Sequence, residues 1–230
     1  MTDSLGRGAS VAIGLATGVV IVAVALVPFL NPVWVSFEQG RSGALVATGF
    51  TAEELRTATD SILADLVLGP PDFDVAVRDQ PVLNERERGH MRDVRGVFAG
   101  FAAVAAAGAA ILAGGWLATR NRPAARSDYR RAVRRGATGL GIGVVGVGIV
   151  SLVAFDAVFE LFHRLFFAGN YTFDPSTERL VQLFPLGFWS ETAFAAGGVI
   201  LVLAVGVRTT ARPGSRRRSD ASAVAVRAAG

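Results

Sequence analysis

The chain has 230 residues, 51% of them hydrophobic, and carries 23 basic against 19 acidic side chains, a net charge of +4. Only 18% of its residues are charged and its mean hydropathy is +0.44, whereas a soluble domain is about 25% charged, so the composition indicates a membrane protein. The absence of cysteine excludes disulfides, thiolate metal sites and a cysteine acyl-enzyme.

Long stretches without charge predict four transmembrane helices. Residues 8–37, 96–119 and 136–155 contain no charged side chain, and residues 186–207 contain only Glu191. About 20 apolar residues cross a bilayer as a helix. We therefore expect spans at about 9–30, 94–119, 136–162 and 186–207. The first is interpreted as a signal anchor, because its end offers no small-residue cleavage site.

A large insert, residues 31–93, separates the first two spans. Thr51 and Glu54 have the spacing of a capping box, and apolar residues follow at helical period, which predicts an amphipathic helix over 51–68. These apolar residues are Leu55, Ala58, Ile62, Leu63 and Leu66. Alternation over 73–78 predicts a short strand. A second capping box, Asn84 and Glu87, starts a helix predicted to run from about 85 to 119. We expect the insert to form an extracytoplasmic cap on the bilayer surface.

Small residues in the second and third spans predict that these two helices pack closely as a hairpin. The second span is rich in alanine, and the third contains Gly139 and Gly143 four residues apart. Small side chains allow membrane helices to approach one another.

Arginine placement orients the predicted bundle. Residues 120–135 carry seven arginines and one acid, whereas residues 31–95 carry 11 acids and seven arginines. The positive-inside rule therefore places both termini and the middle loop in the cytoplasm. Residues 1–208 are predicted to form the membrane domain, and residues 209–230 a disordered cytoplasmic tail. The arginines of this tail are expected to contact anionic lipid headgroups, so no nucleic-acid partner is predicted.

The two histidines are predicted to meet at the outer surface. His90 precedes the second span, His163 ends the third, and these spans are antiparallel. Acidic residues surround both histidines in the sequence, and ionisable groups at membrane depth are usually functional. They are Glu87, Asp93, Asp156 and Glu160.

The residues alone leave four interpretations open. In the first, the two histidines and the four acids are ordinary residues of the membrane interface, with Glu87 capping a helix and Asp93 paired with a neighbouring arginine, Arg92 or Arg95. Residues 87–90 and 160–163 share the E-x-x-H spacing of di-iron four-helix proteins, for which Glu38 and Glu191 offer two further carboxylates. Two histidines across a hairpin also permit a bis-histidine haem. A neutral imidazole oriented by a carboxylate suits acid–base catalysis.

Two segments resemble signatures of the lipoprotein intramolecular transacylase family. Residues 87–94, Glu-Arg-Gly-His-Met-Arg-Asp-Val, resemble its E-x-x-H-[LM]-x-D-V pattern, and residues 156–167 resemble its D-x-x-F-x-x-F-H-x-x-x-F pattern. Residues 170–189 are similar to the segment that leads into the family's fourth helix. The likeness covers most of residues 10–207, with departures at Tyr171-Thr172 and at Glu178, where the family has aspartate.

The resemblance implies an integral membrane acyltransferase without a cofactor or metal, located in the bacterial cell membrane. Members of the family move the sn-2 acyl chain of a diacylglyceryl-modified lipoprotein to the α-amino group of its N-terminal cysteine. By this resemblance, His90 and His163 form the catalytic pair, and Glu87, Asp93 and Asp156 are supporting polar groups. The alternative is a non-enzymatic or di-metal-binding membrane protein of the same architecture. No oligomeric state is predicted.

This chemistry suits the residue types. An α-amine has a pKa of about 7.7–8.0, so it must lose a proton before it attacks an ester, and a neutral histidine can accept that proton. The oxyanion that develops needs donors, which the second histidine or an arginine such as Arg92 or Arg164 could supply. Because donor and acceptor belong to one molecule, proximity provides much of the rate.

Overall fold

The computed structural model describes residues 4–167, 169 and 171–211. Within them the chain is mainly helical. In chain order the helices are α1 (Arg7–Leu26), α2 (Pro32–Ser42), α3 (Ala44–Thr48), α4 (Ala52–Val67), α5 (Glu85–Thr119), α6 (Pro123–Phe166), α7 (Arg179–Leu183) and α8 (Leu186–Thr210). A 3-10 turn, Val27–Leu30, extends α1, and a hairpin of β1 (Ala76–Val77) and β2 (Gln80–Pro81) precedes α5.

Four of these helices, α1 with its 3-10 turn, α5, α6 and α8, are long and apolar enough to cross a membrane. The all-α membrane fold with four spans is therefore confirmed. The helices are longer than the predicted spans. α6 has 44 residues, or about 66 Å at 1.5 Å per residue, against a hydrocarbon core of about 30 Å. Both α5 and α6 therefore project beyond the apolar layer.

α1 packs closely against α6, and this corrects the predicted hairpin of the second and third spans. A Cβ atom built on Gly136 of α6 would collide with the backbone of Gly14 on α1, whereas Cβ atoms on Gly139 and Gly143 would meet no atom within 4 Å. α5 and α6 touch near their connecting loop, where the Tyr129 hydroxyl donates to the Leu112 carbonyl oxygen at 3.0 Å. The small residues thus bring α6 against α1.

The insert between α1 and α5 contains the predicted amphipathic helix. In α4 the Thr51 hydroxyl accepts from the Glu54 N–H, and the Glu54 carboxylate accepts from the Thr51 N–H, which completes the capping box. The predicted strand over 73–78 is wrong in length, because only Ala76–Val77 pairs with Gln80–Pro81. Arg78 and Asp79 form the two-residue turn with φ of 53° and 58°, the left-handed pair of a type I′ hairpin.

The insert shares one apolar core with α5, α7 and the start of α8. From the insert this core takes side chains such as Ile62 and Phe73, and from the other elements Met91, Leu183 and Phe188. The amide of Gln39 on α2 ties the layers together, since it donates to the Thr59 hydroxyl and to the Leu183 carbonyl oxygen, both at 3.0 Å. The insert is thus packed against the ends of the long helices, which positions the groups described below.

The predicted tail, residues 209–230, lies outside the described residues beyond position 211. Its first two residues, Thr209 and Thr210, continue α8.

Candidate active site

The two histidines lie side by side. His90 is in the second turn of α5 and His163 is near the end of α6, and their ring centroids are 6.1 Å apart with the rings 19° from parallel. His90 is only 6% exposed, whereas His163 is half-buried. The predicted meeting of the two imidazoles is therefore formed by the antiparallel course of α5 and α6.

A backbone contact orients the ring of His163. Its Nδ1 atom lies 2.8 Å from the carbonyl oxygen of Phe159, one turn earlier on α6. A carbonyl oxygen only accepts hydrogen bonds, so Nδ1 carries the proton in the neutral ring. The lone pair is then on Nε2. The predicted carboxylate that orients the imidazole is replaced here by a helix carbonyl.

Aromatic side chains enclose the histidine pair. Phe167, which is buried, contacts both imidazoles, with its ring centroid 4.7 Å from that of His90 and 5.4 Å from that of His163. Phe173 lies 5.2 Å from His90, and Phe159 and Tyr171 lie 4.2 and 5.6 Å from His163. Aromatic rings thus surround the two imidazoles.

Glu87, one of the predicted supporting residues, is buried at the site, with 1% of its surface exposed. One carboxylate oxygen accepts from the Asn84 N–H at 2.7 Å and completes the predicted capping box. The other accepts from the Leu180 N–H in the first turn of α7, also at 2.7 Å. Glu87 therefore fastens α7 to the start of α5, and both of its oxygens already bind backbone groups.

A second link, which sequence reasoning did not identify, fastens the segment between α6 and α7. Arg86 binds the Glu178 carboxylate and donates to the Thr172 carbonyl oxygen at 2.8 Å, and its guanidinium lies 4.5 Å from the Phe173 ring centroid. Burial opposes ionisation of Glu178, yet hydrogen bonds from Arg86 and from the Asp174 N–H lower the pKa of this carboxyl. The departure from the family pattern at Glu178 thus still provides an ionised carboxylate.

The other predicted site residues lie on exposed helix surfaces. Asp93 and Asp156 are exposed, and Asp156 follows a break in the helical backbone at Ala154. Glu160 pairs with Arg164 at 2.5 Å.

Arginine pairing differs from the prediction near His90. The side chain of Arg92 binds Glu85 at 2.5 Å, and Arg95 donates to the carbonyl oxygens of Asp65 and Gly69. The predicted pairing of Asp93 with a neighbouring arginine is therefore wrong.

The geometry of the predicted di-metal site is not formed. Among the described residues, no three histidine or carboxylate side chains come together as ligands for one ion. Glu191 instead binds Arg41 through contacts of 3.0 and 2.7 Å, beside the buried Glu38. The Arg41–Glu191 contact therefore links α2 to α8. Burial and the neighbouring Glu191 charge raise the pKa of Glu38.

Comparisons with known proteins agree with the resemblance. The family model described as lipoprotein intramolecular transacylase Lit matches residues 10–189. A solved structure of the membrane-integral lipoprotein intramolecular transacylase Lit from Bacillus cereus superposes with a TM-score of 0.74 at 18% identity, covering 89% of this chain and 93% of that one. Two further structures of that protein, each with one histidine replaced, by arginine or by alanine, superpose with TM-scores of 0.73 at 18% identity. Both superpositions cover 90% of this chain. They cover 90% of the arginine variant and 91% of the alanine variant.

A sequence search of curated proteins finds no significant match. The family model nevertheless spans most of the chain, including both histidines, and the fold agrees over nearly its whole length. The chain therefore belongs to the lipoprotein intramolecular transacylase family, whose members are membrane acyltransferases.

Proposed function

We propose that the chain moves the sn-2 acyl chain of a diacylglyceryl-modified lipoprotein to the α-amino group of its N-terminal cysteine, with His90 and His163 as the catalytic pair. The observation that carries this assignment is the pair of imidazoles 6.1 Å apart, one with a defined tautomer, inside an aromatic enclosure between two membrane helices. Because the acyl donor and the amine acceptor belong to one substrate molecule, holding them in the right geometry provides much of the rate, and a covalent enzyme intermediate is not required.

His163 acts as the general base in this proposal. Because its Nδ1–H donates to Phe159, its Nε2 lone pair is available to take a proton from the substrate ammonium. The amine nitrogen then attacks the carbonyl carbon of the sn-2 ester and forms a tetrahedral intermediate, in which the nitrogen releases a second proton to solvent. On collapse the bond from this carbon to the glycerol oxygen breaks, and the imidazolium returns its proton to that oxygen.

His90 serves as a hydrogen-bond donor to the oxyanion of the intermediate. Its buried position inside rings of Phe167 and Phe173 lowers the local dielectric, which strengthens a hydrogen bond to developing charge. Tyr171 is a further donor candidate, because its ring lies beside His163, with the two centroids 5.6 Å apart. Both arginines suggested by the sequence already pair with carboxylates, Arg92 with Glu85 and Arg164 with Glu160, each at 2.5 Å.

The site faces the outer leaflet in this proposal. His163 and the arginine-rich start of α6 are separated by about 40 Å along the helix, at about 1.5 Å per residue. That distance exceeds the hydrocarbon thickness of about 30 Å, so the two groups lie at opposite interfaces. The arginine excess favours the cytoplasm for the start of α6, which leaves the histidines outside, where the diacylglyceryl group of a lipoprotein is anchored.

The first prediction tests the catalytic pair. His90→Ala and His163→Ala should each lower acyl transfer at least about 100-fold, while the protein still accumulates in the membrane. The measurement is mass spectrometry of the N-terminal lipopeptide of a diacylglyceryl lipoprotein incubated with each purified variant.

Exposed residues on the same helices provide matched controls. Arg92→Gln and Glu160→Gln break surface ion pairs and should retain transfer within about threefold, since such pairs contribute about 0–1 kcal/mol. Full transfer by either histidine variant would overturn the assignment.

A further inference from the structure

Two cavities lie side by side at the end of the bundle opposite the histidines. The larger, about 790 Å³, is lined by the start of α1 and the first half of α6. The smaller, about 450 Å³, lies between α6 and the end of α8. Arg131, Arg135 and Gly139 line both cavities, so the two cavities adjoin along one stripe of α6, and together they are called the groove.

The rim of this groove is strongly positive. Five arginines line it, together with one acid, Asp128; they are Arg7, Arg131, Arg134, Arg135 and Arg208. Asp128 already accepts hydrogen bonds from Arg131 at 2.7 Å and from the Leu5 N–H at 3.2 Å. The remaining arginines therefore give the rim a positive excess that suits an anion.

The floor of the groove is apolar and open. Val11 and Leu15 on α1 and Ile142 on α6 are 61%, 68% and 71% exposed and line the cavities. Gly139 leaves space at the centre, because a Cβ atom there would meet nothing within 4 Å. These residues belong to helices long and apolar enough to span a membrane, so the floor faces the hydrocarbon layer.

We propose that the groove binds an anionic glycerophospholipid, with its phosphate on the arginine rim and an acyl chain along the apolar floor. Guanidinium groups bind phosphate oxygens with paired N–H donors, and basic pockets between membrane helices bind anionic lipid headgroups. An inorganic phosphate or a soluble anion would satisfy the rim and leave the floor exposed. Since the groove combines both surfaces, a lipid is the occupant that fits the whole of it.

The site is separate from the acyl-transfer site. Arg135 and His163 lie on the same helix about 40 Å apart at about 1.5 Å per residue, beyond the span of one leaflet. The bound lipid is therefore a structural ligand of the α1–α6 contact and not the acyl donor, and its binding is testable without an activity assay.

The test is a titration of the purified full-length protein with phosphatidylglycerol or phosphatidylcholine, followed by native mass spectrometry. The wild type should bind phosphatidylglycerol at least about tenfold more tightly than phosphatidylcholine. Arg7→Gln combined with Arg135→Gln should weaken phosphatidylglycerol binding roughly tenfold or more. The matched control, Arg122→Gln combined with Arg126→Gln, alters two exposed arginines near the same end of α6 that line neither cavity and should change binding less than twofold.

A steric variant separates the lipid from a free anion. Gly139→Leu keeps every arginine and fills the floor, so it should weaken binding of both lipids, and millimolar inorganic phosphate should not displace phosphatidylglycerol from the wild type. Equal binding of the two lipids, equal losses in the test and control pairs, or displacement by phosphate would each overturn the proposal. Thermal unfolding of every variant, measured in parallel, shows whether a loss of binding comes from a folded protein.

Discussion

At the scale of single residues, the two histidines of the pair have different surroundings. His163 is half-buried and its Nδ1 atom faces the Phe159 carbonyl oxygen, whereas His90 is buried between Phe167 and Phe173. A base must exchange protons with substrate, and an oxyanion donor benefits from a low dielectric. Their environments therefore support different roles for two residues of the same type.

Glu87→Gln should destabilise the protein more than it impairs chemistry. The two carboxylate oxygens accept from the Asn84 and Leu180 N–H groups, each at 2.7 Å, whereas glutamine offers one oxygen and places an NH₂ group against the other N–H. Leaving a buried donor unsatisfied costs about 1–3 kcal/mol. We expect a lower unfolding temperature and, per folded molecule, a smaller loss of transfer than in the histidine variants.

Glu85→Gln is the control for this substitution, because that side chain is exposed and pairs only at the surface. Unfolding temperature and specific activity are measured for both variants. A Glu87→Gln protein with wild-type stability and no activity would give Glu87 a chemical role instead.

Acid should weaken the attachment of the hairpin to α4. Arg78 binds Glu54 through contacts of 2.6 and 2.7 Å, and with the Thr51 N–H it lowers the pKa of Glu54 from 4.5 to about 2. Because the folded-state pKa is below that of the unfolded chain, this stabilisation is present above pH 4.5 and is lost as the pH falls toward 2.

The measurement is the unfolding temperature of purified wild type and Arg78→Gln between pH 6 and pH 2.5. The variant should lose part of the pH dependence over this range, and Arg56→Gln, an exposed change on α4, should keep it. Parallel curves for wild type and Arg78→Gln would contradict the prediction.

At the scale of elements, α1 organises the membrane bundle and α2 links the insert to α8. α1 meets α6 where Gly14 and Gly136 face each other, and its residues Ile21 and Ala25 pack with Ile200 and Ala204 of α8. On the other side of the membrane region, the indole N–H of Trp34 on α2 donates to the Thr192 hydroxyl at 3.2 Å. The insert is therefore held to the bundle at the end that carries the histidines.

Gly136→Ala should destabilise the α1–α6 contact. Its Cβ atom would overlap the backbone of Gly14, and backbone cannot yield as a flexible side chain can, so the two helices must separate. Overpacking of this kind costs about 1–3 kcal/mol. The measurement is the unfolding temperature of the variant in detergent.

Gly143→Ala is the matched control on the same helix. Its Cβ atom would meet nothing within 4 Å, and alanine favours a helix over glycine by about 1 kcal/mol, so the unfolding temperature should stay unchanged or rise. If Gly143→Ala were the more damaging substitution, α6 would use its other face for packing.

At the scale of the whole molecule, the chain is polarised along the membrane normal. The histidine pair, the insert and α7 lie at one end of the long helices, and the arginine-rich groove lies at the other. Since α5 and α6 both project beyond the apolar layer, each end carries polar groups in the interfacial region. The orientation of this axis decides which leaflet supplies the lipoprotein substrate.

Single cysteines can report the orientation, because the natural chain contains none. Ser61→Cys on α4 and Ala124→Cys in the first turn of α6 place a thiol at exposed positions at opposite ends. We expect a membrane-impermeant maleimide to label Ser61→Cys in intact cells, and to label Ala124→Cys only after permeabilisation. The reverse pattern would invert the protein and place the histidines at the cytoplasmic face.

The features that the sequence determined by itself depend on residues close together in the chain. A charge-free run is sufficient to predict a membrane span, and the Thr51–Glu54 and Asn84–Glu87 spacings predicted where α4 and α5 begin. The spans and caps have a local physical cause, desolvation of a helix or capping of its first turn, which acts within a few residues. The meeting of His90 and His163 needed one further step, the antiparallel course of two predicted helices joined by a short loop.

The tertiary structure alone decided the features that join distant residues. Glu87 binds an N–H group 93 positions away, Gly136 fits against Gly14 and not against the second span, and a backbone carbonyl rather than a carboxylate orients His163. Small residues indicate that a close approach is possible without indicating to which helix, and a carboxylate does not show in the sequence which donor it will meet. These contacts depend on how the helices are placed in three dimensions, since most buried polar groups bind partners that the fold brings near them.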